Sequence, residues 1–250
     1  MPAIFLALIQ HPVFDAAAFN HVRVVMSGGA PLPVSLVRQY HEAGIALQQG
    51  FGMSEAAPSI ATLEKELALA KAGSIGKPVF HLDARIVDDE MHEPPAGEVG
   101  ELVIRGPNLL QGYWKLPDAT EKAFSGDWFH TGDLARMDAD GCLYIVERKK
   151  DMFISGGENV YPAEVENIIY QLPQIAEAAV IGIIDPKWGE VGRAVVVVKE
   201  GQSVTVDEIL DHLRGSLAKY KIPKSVVFIE RLPRNAAGKV LKNNLREAYS

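Results

Sequence analysis

The chain holds 250 residues, 48% hydrophobic and 23% charged, with a formal charge of −7. This is the composition of an ordinary globular protein of one or two domains. The acidic balance argues against nucleic acid as a partner, because phosphate backbones are bound by clustered Lys and Arg. A single cysteine, Cys142, excludes an intrachain disulfide, and the seven scattered histidines lack the Cys/His spacing of a zinc site. The apolar run at residues 3–9 is shorter than the roughly 20 residues a bilayer span needs. It has no basic leader or small-residue cleavage site, so the reading is a cytoplasmic protein with no transmembrane segment or signal peptide; peripheral attachment to a membrane stays open.

Residues 1–20 read as a helix, with Ile4, Phe5, Leu8 and Ile9 at helical spacing, broken at His11-Pro12. A short strand at 21–26 runs into Ser27-Gly28-Gly29-Ala30-Pro31, a helix follows at 34–43, and a buried strand at 45–49 enters Gly50-Phe51-Gly52-Met53-Ser54-Glu55. Strand, helix, strand with glycine-bearing loops at the strand ends is an α/β pattern, whose sites form beyond the carboxyl ends of the strands. From 73 to 148 the texture changes to short strands (82–87, 101–105) with frequent Gly and Pro turns, a β-rich subdomain. Beyond Asp151 the pattern is a small α+β module. Its helices are expected at 162–171 and 207–220 and its strands at 178–184, 193–199 and 226–230, with a short closing helix around Leu241 and Leu245. The division is therefore 1–149, made of an α/β piece (1–72) and a β-rich piece (73–149), followed by 150–250.

Two strand-like runs flank Asp138-Ala139-Asp140-Gly141, a hairpin signal. Pairing outward from that turn sets Met137 opposite Cys142 and Asp133 opposite Val146, with Arg148 a diagonal neighbour of Asp133 about 7–8 Å away. A carboxylate and a guanidinium at that spacing can grip both hydroxyls of a ribose. They can equally form a surface salt bridge worth roughly 0–1 kcal/mol. The charged step Lys149-Lys150-Asp151 comes next, then Ser155-Gly156-Gly157 and Pro162 at a helix start, which reads as a hinge between domains.

Taken together, these segments resemble the adenylate-forming enzymes: acyl-CoA synthetases, luciferases and peptide-synthetase adenylation domains. The run from Ile154 to Glu166, ISGGENVYPAEVE, with a Lys at the hinge, is most similar to fatty acyl-CoA synthetases. The resemblance implies roles residue by residue. Phe51, between Gly50 and Gly52, would stack on adenine; Ser54 would contact phosphate; Glu55 would ligate Mg²⁺. Gly28, Gly29 and Ala30 would line the adenine edge, and Asp133 with Arg148 would hold the ribose. Lys150 would be the hinge. Gly156 and Gly157 would line a pantetheine tunnel, and Trp188 would stack against CoA or pack into a core. Lys239, in Pro233-Arg234-Asn235-Ala236-Ala237-Gly238-Lys239, would reach the substrate carboxylate and the α-phosphate, with Ala237 where Ser is more usual.

The implied reaction joins a carboxylic acid to CoA at the expense of ATP, with Mg²⁺, through an acyl-adenylate; a fatty acid is the expected substrate. An aryl or hydroxycinnamoyl acid is the alternative, and a non-catalytic nucleotide-binding or assembly module the reading from another class. The family's Ser/Thr/Gly/Lys-rich phosphate loop has no counterpart here, since Gly73-Ser74-Ile75-Gly76-Lys77 lacks the spacing. The resemblance covers the second half of a family member, so the expectation is a partial site, inactive alone, with an N-terminal half supplied in cis or by a separate chain.

Overall fold

Helical spacing of Ile4, Phe5 and Leu8 carries α1 over Pro2–Ile9, and a separate 3-10 turn forms at Ala16–Phe19, capped by Asp15. The computed structural model describes residues 2–235 and 238–250, and it divides into two units, Met1–Ile145 and Val146–Ser250.

In the first unit β1 (Val25–Ser27) and β2 (Leu47–Gly52) pair in parallel, joined by the crossover helix α2 (Val34–Glu42). Leu36, Val37 and Tyr40 of α2 are buried with Ile45 and Leu47, and the Tyr40 hydroxyl donates to Phe5 O at 2.7 Å, holding α1 to the same core. Strands β3 (Ser59–Thr62) and β4 (Lys77–Pro78) extend this sheet antiparallel in the order β1-β2-β3-β4. The Gly73–Lys77 stretch has a structural use. Ser74 Oγ donates to Leu143 O at 2.7 Å and accepts from Gly76 N at 2.9 Å, while a Cβ on Gly76 would lie 2.0 Å from Thr62 O.

The second sheet comprises β5 (Asp83–Val87), β6 (Gly100–Arg105), β7 (Phe124–Ser125), β8 (Trp128–Met137) and β9 (Leu143–Arg148). Helix α3 (Pro117–Lys122) precedes β7. The order is β5-β6-β8-β7, with β9 on β8. Ile60, Ile75, Leu102, Ile104, Phe129 and Leu143 form the core shared by the two sheets.

The β8–β9 turn departs from the expected register. Asp138 N donates to Cys142 O at 3.0 Å and Gly141 N to Asp138 O at 2.9 Å, so Asp138, not Met137, lies across from Cys142. Gly141 adopts φ 80°, the left-handed conformation that lets a third residue enter the turn. A second irregularity falls at 131–133. The β6–β8 ladder passes from Val103↔His130 to Glu101↔Leu134, leaving Thr131-Gly132-Asp133 on a bulge. The turn therefore does not set Asp133 opposite Val146.

The second unit is a five-stranded sheet with helices on both faces. Strands β10 (Phe153–Ser155) and β11 (Glu158–Val160) precede α4 (Pro162–Ile169). Then come β12 (Ile175–Asp185), β13 (Gly189–Val198), α5 (Val206–Arg214), β14 (Ser225–Phe228) and α6 (Lys242–Tyr249). The order is β11-β10-β13-β12, with β14 parallel to β13. Alternation along β12 decides which core each residue joins: Ala178 and Val180 pack with α4 and α5, Ala179 and Ile181 with Leu245 of α6. Both faces are covered, which explains the nearly unbroken apolar run of β12. A capping box starts α5, with Thr205 Oγ1 accepting from Glu208 N at 3.2 Å and Glu208 Oε2 from Thr205 N at 2.7 Å. The helix stops at Arg214, short of the expected Tyr220, yet Leu217 still packs on the same core from beyond it. Among the described residues no helix is long and apolar enough to cross a membrane.

Lys71 ties the loop before β4 to the β8–β9 turn. Its Nζ donates to Asp138 Oδ2 at 2.8 Å and also to Asp140. The Lys71 hydrogen bond, with help from Cys142 N, Tyr144 and Asp140 N, outweighs burial and lowers the Asp138 carboxyl from 3.8 to about 2. A depressed folded pKa contributes stability that is present above 3.8 and is lost as pH falls towards about 2. In Lys71→Met the Asp138 carboxyl, followed by NMR titration, is expected to shift back towards 3.8, and the share of stability that Asp138 loses between 3.8 and about 2 to shrink as the two values converge.

Candidate functional site

The carboxyl ends of β1 and β2 lie side by side, with Ser27 in register with Gln49. Little room separates the two backbones there. A Cβ on Gly28 would stand 3.2 Å from Gly50 O, and one on Gly50 would meet Met26 Sδ at 3.0 Å. Past the strand end the constraint tightens, because a Cβ on Gly52 would fall 1.9 Å from Pro58 O, the same carbonyl that accepts from Met53 N at 2.8 Å. Gly29 follows Gly28 at φ 80°, and Ala30 is exposed at the loop's outer side. These glycines thus have a steric cause inside the fold, and they leave backbone rather than side chain facing outward beside Phe51.

Phe51 is half-buried, with part of its ring packed on the core between the sheets. Ser54 is exposed and Glu55 half-buried in a 3-10 turn, Ser54–Ala56. Two residues that sequence reasoning missed hold that turn. Asn108 Nδ2 donates to Ala56 O at 2.6 Å and Ser59 O at 3.2 Å. The Tyr113 hydroxyl donates to Glu55 Oε1 at 3.2 Å, while Leu110 N donates to Glu55 O at 2.8 Å. Burial, then the Glu55 charge and hydrogen bond, raises the Tyr113 phenol, which stays a donor. Nothing in the local pattern of residues 108–113 pairs them with Glu55, fifty residues upstream.

Among the described residues no group of three or more His, Cys, Asp or Glu could hold a metal ion. A lone half-buried carboxylate suits Mg²⁺, which keeps several waters and takes one or two protein carboxylates beside substrate phosphates. Tyr113 engages Oε1, one of the two Glu55 oxygens.

Asp133 is 3% exposed on β8, in the other sheet of this unit. Gly132, at φ 70°, donates its N–H to Glu101 Oε1 at 3.2 Å; Asp133 N donates to Thr131 Oγ1 at 3.1 Å, and Thr131 Oγ1 to Leu102 O at 2.7 Å. The bulge is thus pinned to β6 on both sides of the carboxylate.

In the second unit Arg148 is half-buried at the end of β9 and Lys150 exposed in a turn, where Asp151 N and Met152 N both donate to Arg148 O, at 2.9 and 3.2 Å. Gly156 and Gly157, at φ 63° and 90°, form the two-residue turn between β10 and β11. Trp188 lies directly over that turn. A Cβ on Gly156 would be 2.8 Å from the Trp188 ring, and Gly156 N donates to Trp188 O at 2.9 Å. The indole is 44% exposed, with Lys187 Nζ 4.8 Å from its centroid, so the core-packing alternative for Trp188 is overturned.

Lys239 is exposed on a loop closed from within. Lys239 N donates to Asn235 Oδ1, Asn235 N to Lys239 O and Gly238 N to Asn235 O, each at 2.9 Å. Arg234 donates to Gly238 O and to Glu177, both at 2.6 Å. Ala236 and Ala237, including the position where Ser is more usual, lie outside the described residues.

Comparison with known proteins matches two segments to two family models. Residues 1–114 match the AMP-binding enzyme family and 164–239 the AMP-binding enzyme C-terminal domain. Over 249 residues the chain is 46% identical to a feruloyl-CoA synthase of Amycolatopsis sp, covering 100% of this chain and 51% of that protein. It is 43% identical over 250 residues to the long-chain-fatty-acid–CoA ligase FadD13 of Mycobacterium tuberculosis, covering 100% and 49%. O-succinylbenzoate coenzyme A synthetase (MenE) from Bacillus subtilis, solved with ATP and a magnesium ion, superposes with a TM-score of 0.88 at 37% identity, over 97% of this chain and 50% of that one. The chain spans about half the length of the curated relatives it matches.

Gly52→Ala is expected to cost the first unit about 1–3 kcal/mol, because its methyl group has no room beside Pro58 O. Ser54→Ala, at an exposed position, should stay within about 0.5 kcal/mol. Urea unfolding of the two variants measures the difference.

Proposed function

The chain belongs to the AMP-binding, adenylate-forming CoA-ligase superfamily, and we propose that it supplies the second half of an ATP-dependent carboxylate–CoA ligase. The observation that carries this reading is the joint presence, within 46% identity to a feruloyl-CoA synthase along the whole chain, of the Gly50–Glu55 segment, Asp133, Arg148 and Lys239. The reaction is acid plus ATP plus CoA to acyl-CoA, AMP and pyrophosphate. Activity is proposed for the chain together with an upstream half of the kind its longer relatives carry, in cis or as a separate chain.

Each residue then has a task. Gly28, Gly29, Ala30, Gly50 and Gly52 present backbone to the adenine edge, and the open part of Phe51 gives the base a face. Asp133 and Arg148 take the ribose hydroxyls. Ser54 meets phosphate. Glu55, steadied by Tyr113, would hold Mg²⁺, which when bound would offset charge on the phosphate oxygens. Lys239 brings an ammonium to the carboxylate and the α-phosphate, where negative charge grows as the acid oxygen displaces pyrophosphate. For thioester formation Lys239 withdraws by rotation of residues 150–250 about Lys150. The Gly156–Gly157 turn and the exposed Trp188 face then receive the pantetheine arm, and the thiol displaces AMP.

For the acid, the first reading is an aryl or hydroxycinnamoyl acid, supported by the 46% identity to a feruloyl-CoA synthase. A long-chain fatty acid, the expectation from the hinge segment, is the second reading, supported by the 43% identity to FadD13. Acid-dependent ATP–pyrophosphate exchange by this chain with an upstream half should be faster with ferulate than with palmitate. The reverse order would favour the fatty acid, and exchange with neither would favour a non-catalytic binding module. Lys239→Ala should lower acyl-adenylate formation about 10²–10³-fold while thioester formation from preformed adenylate survives. Equal loss in both half-reactions would contradict the role given to Lys239.

A further inference from the structure

We infer that Glu147 is a latch across the pivot: it sits before Lys150 in the chain, is bonded to elements that follow Lys150, and so resists rotation about Lys150. This rests on the reading of Lys150 as the pivot. Glu147 Oε2 accepts from Ala163 N, in the first turn of α4, at 2.8 Å, and lies 3.7 Å from Lys242 Nζ on α6. Its other oxygen accepts from Arg148 N at 2.9 Å. These bonds draw Val146–Lys149 into the second unit, whose boundary falls at Ile145/Val146 rather than at Lys150.

The groups facing Lys242 allow the latch to open without stranding a charge. Glu166 Oε1 is at 2.8 Å and also accepts from Val180 N at 2.7 Å, so it is the inner partner and Glu147 the outer one. Burial works against the ammonium, but Glu166 and Glu147 outweigh it and Lys242 stays protonated. When Glu147 leaves, Lys242 keeps Glu166 and Ala163 N returns to water. An uncompensated buried charge, the usual cost of breaking such a cluster, does not arise. One turn along α6, Arg246 is bonded to Asp151 at 3.0 Å. Asp151 follows Lys150, so this pair lies wholly on the moving side and survives a rotation that breaks the Glu147 bonds. The two pairs look alike and make opposite predictions.

The experiment measures spin-label distances in this chain, with labels at Glu66→Cys and Asn167→Cys, both exposed; Cys142 is buried and stays unlabelled. Glu147→Gln is expected to add a second population of distances, and Arg246→Gln to leave the distribution as it was. In a ligase containing this chain, Glu147→Gln should move the two half-reactions in opposite directions, whereas a purely structural loss slows both. An unchanged distribution in Glu147→Gln, an equal change in Arg246→Gln, or parallel slowing of both half-reactions would overturn the latch. Lys150→Pro, which stiffens the backbone at the pivot, separates this from the reading beneath it. If the second population persists in Glu147→Gln/Lys150→Pro, the pivot lies elsewhere and the reading beneath the latch is overturned with it.

Discussion

The closeness of two backbones at the end of β2 governs the rest of the first unit. Gly52 faces Pro58 O with no space for a methyl group, and Gly28 faces Gly50 O almost as tightly. This packing bends the chain out of β2 into the 3-10 turn that presents Ser54 and Glu55. Asn108 and Tyr113 then hold the turn from the β6–α3 connection. A surface made of backbone, one half-open aromatic ring and one steadied carboxylate suits a flat, polyanionic ligand. It is the same logic by which glycine-rich strand ends serve nucleotides in other open α/β sheets.

The second unit depends on charge rather than on close backbone approach. Lys242 sits between two carboxylates with 13% of its side chain exposed, and its helix begins three residues after Lys239. The loop itself is closed by Arg234 and Asn235, so Lys239 is carried on a framed turn. Burying an ion cluster of this kind adds little net stability, because desolvation offsets most of the attraction. What it supplies is register: α6, α4 and the segment around Lys150 are referred to one ammonium.

Much of this was legible in the chain. Hydrophobic periodicity placed α2, α4, β12 and β13 within a few residues, and the fold class, α/β and β-rich pieces followed by a small α+β unit, is the one observed. Two-residue strands such as β4 and β7 carry no periodicity and were invisible. The β8–β9 register failed for local reasons, since Gly141 admits an extra residue and the bulge at 131–133 breaks alternation before Asp133 is reached. Glu55 could be singled out from its neighbours, but Tyr113, Asn108 and the Glu147–Lys242 pair join residues 49 to 95 positions apart, and no local signal announces them.

The most direct test of the account is to titrate AMP into the isotope-labelled chain and follow its backbone amides. If the glycine-lined strand ends form the nucleotide face, amides at Gly28, Gly29, Gly50 and Phe51 shift together with a common affinity, while those of β12 and β13 stay in place. Shifts confined to the second unit, or none at saturating nucleotide, would contradict it.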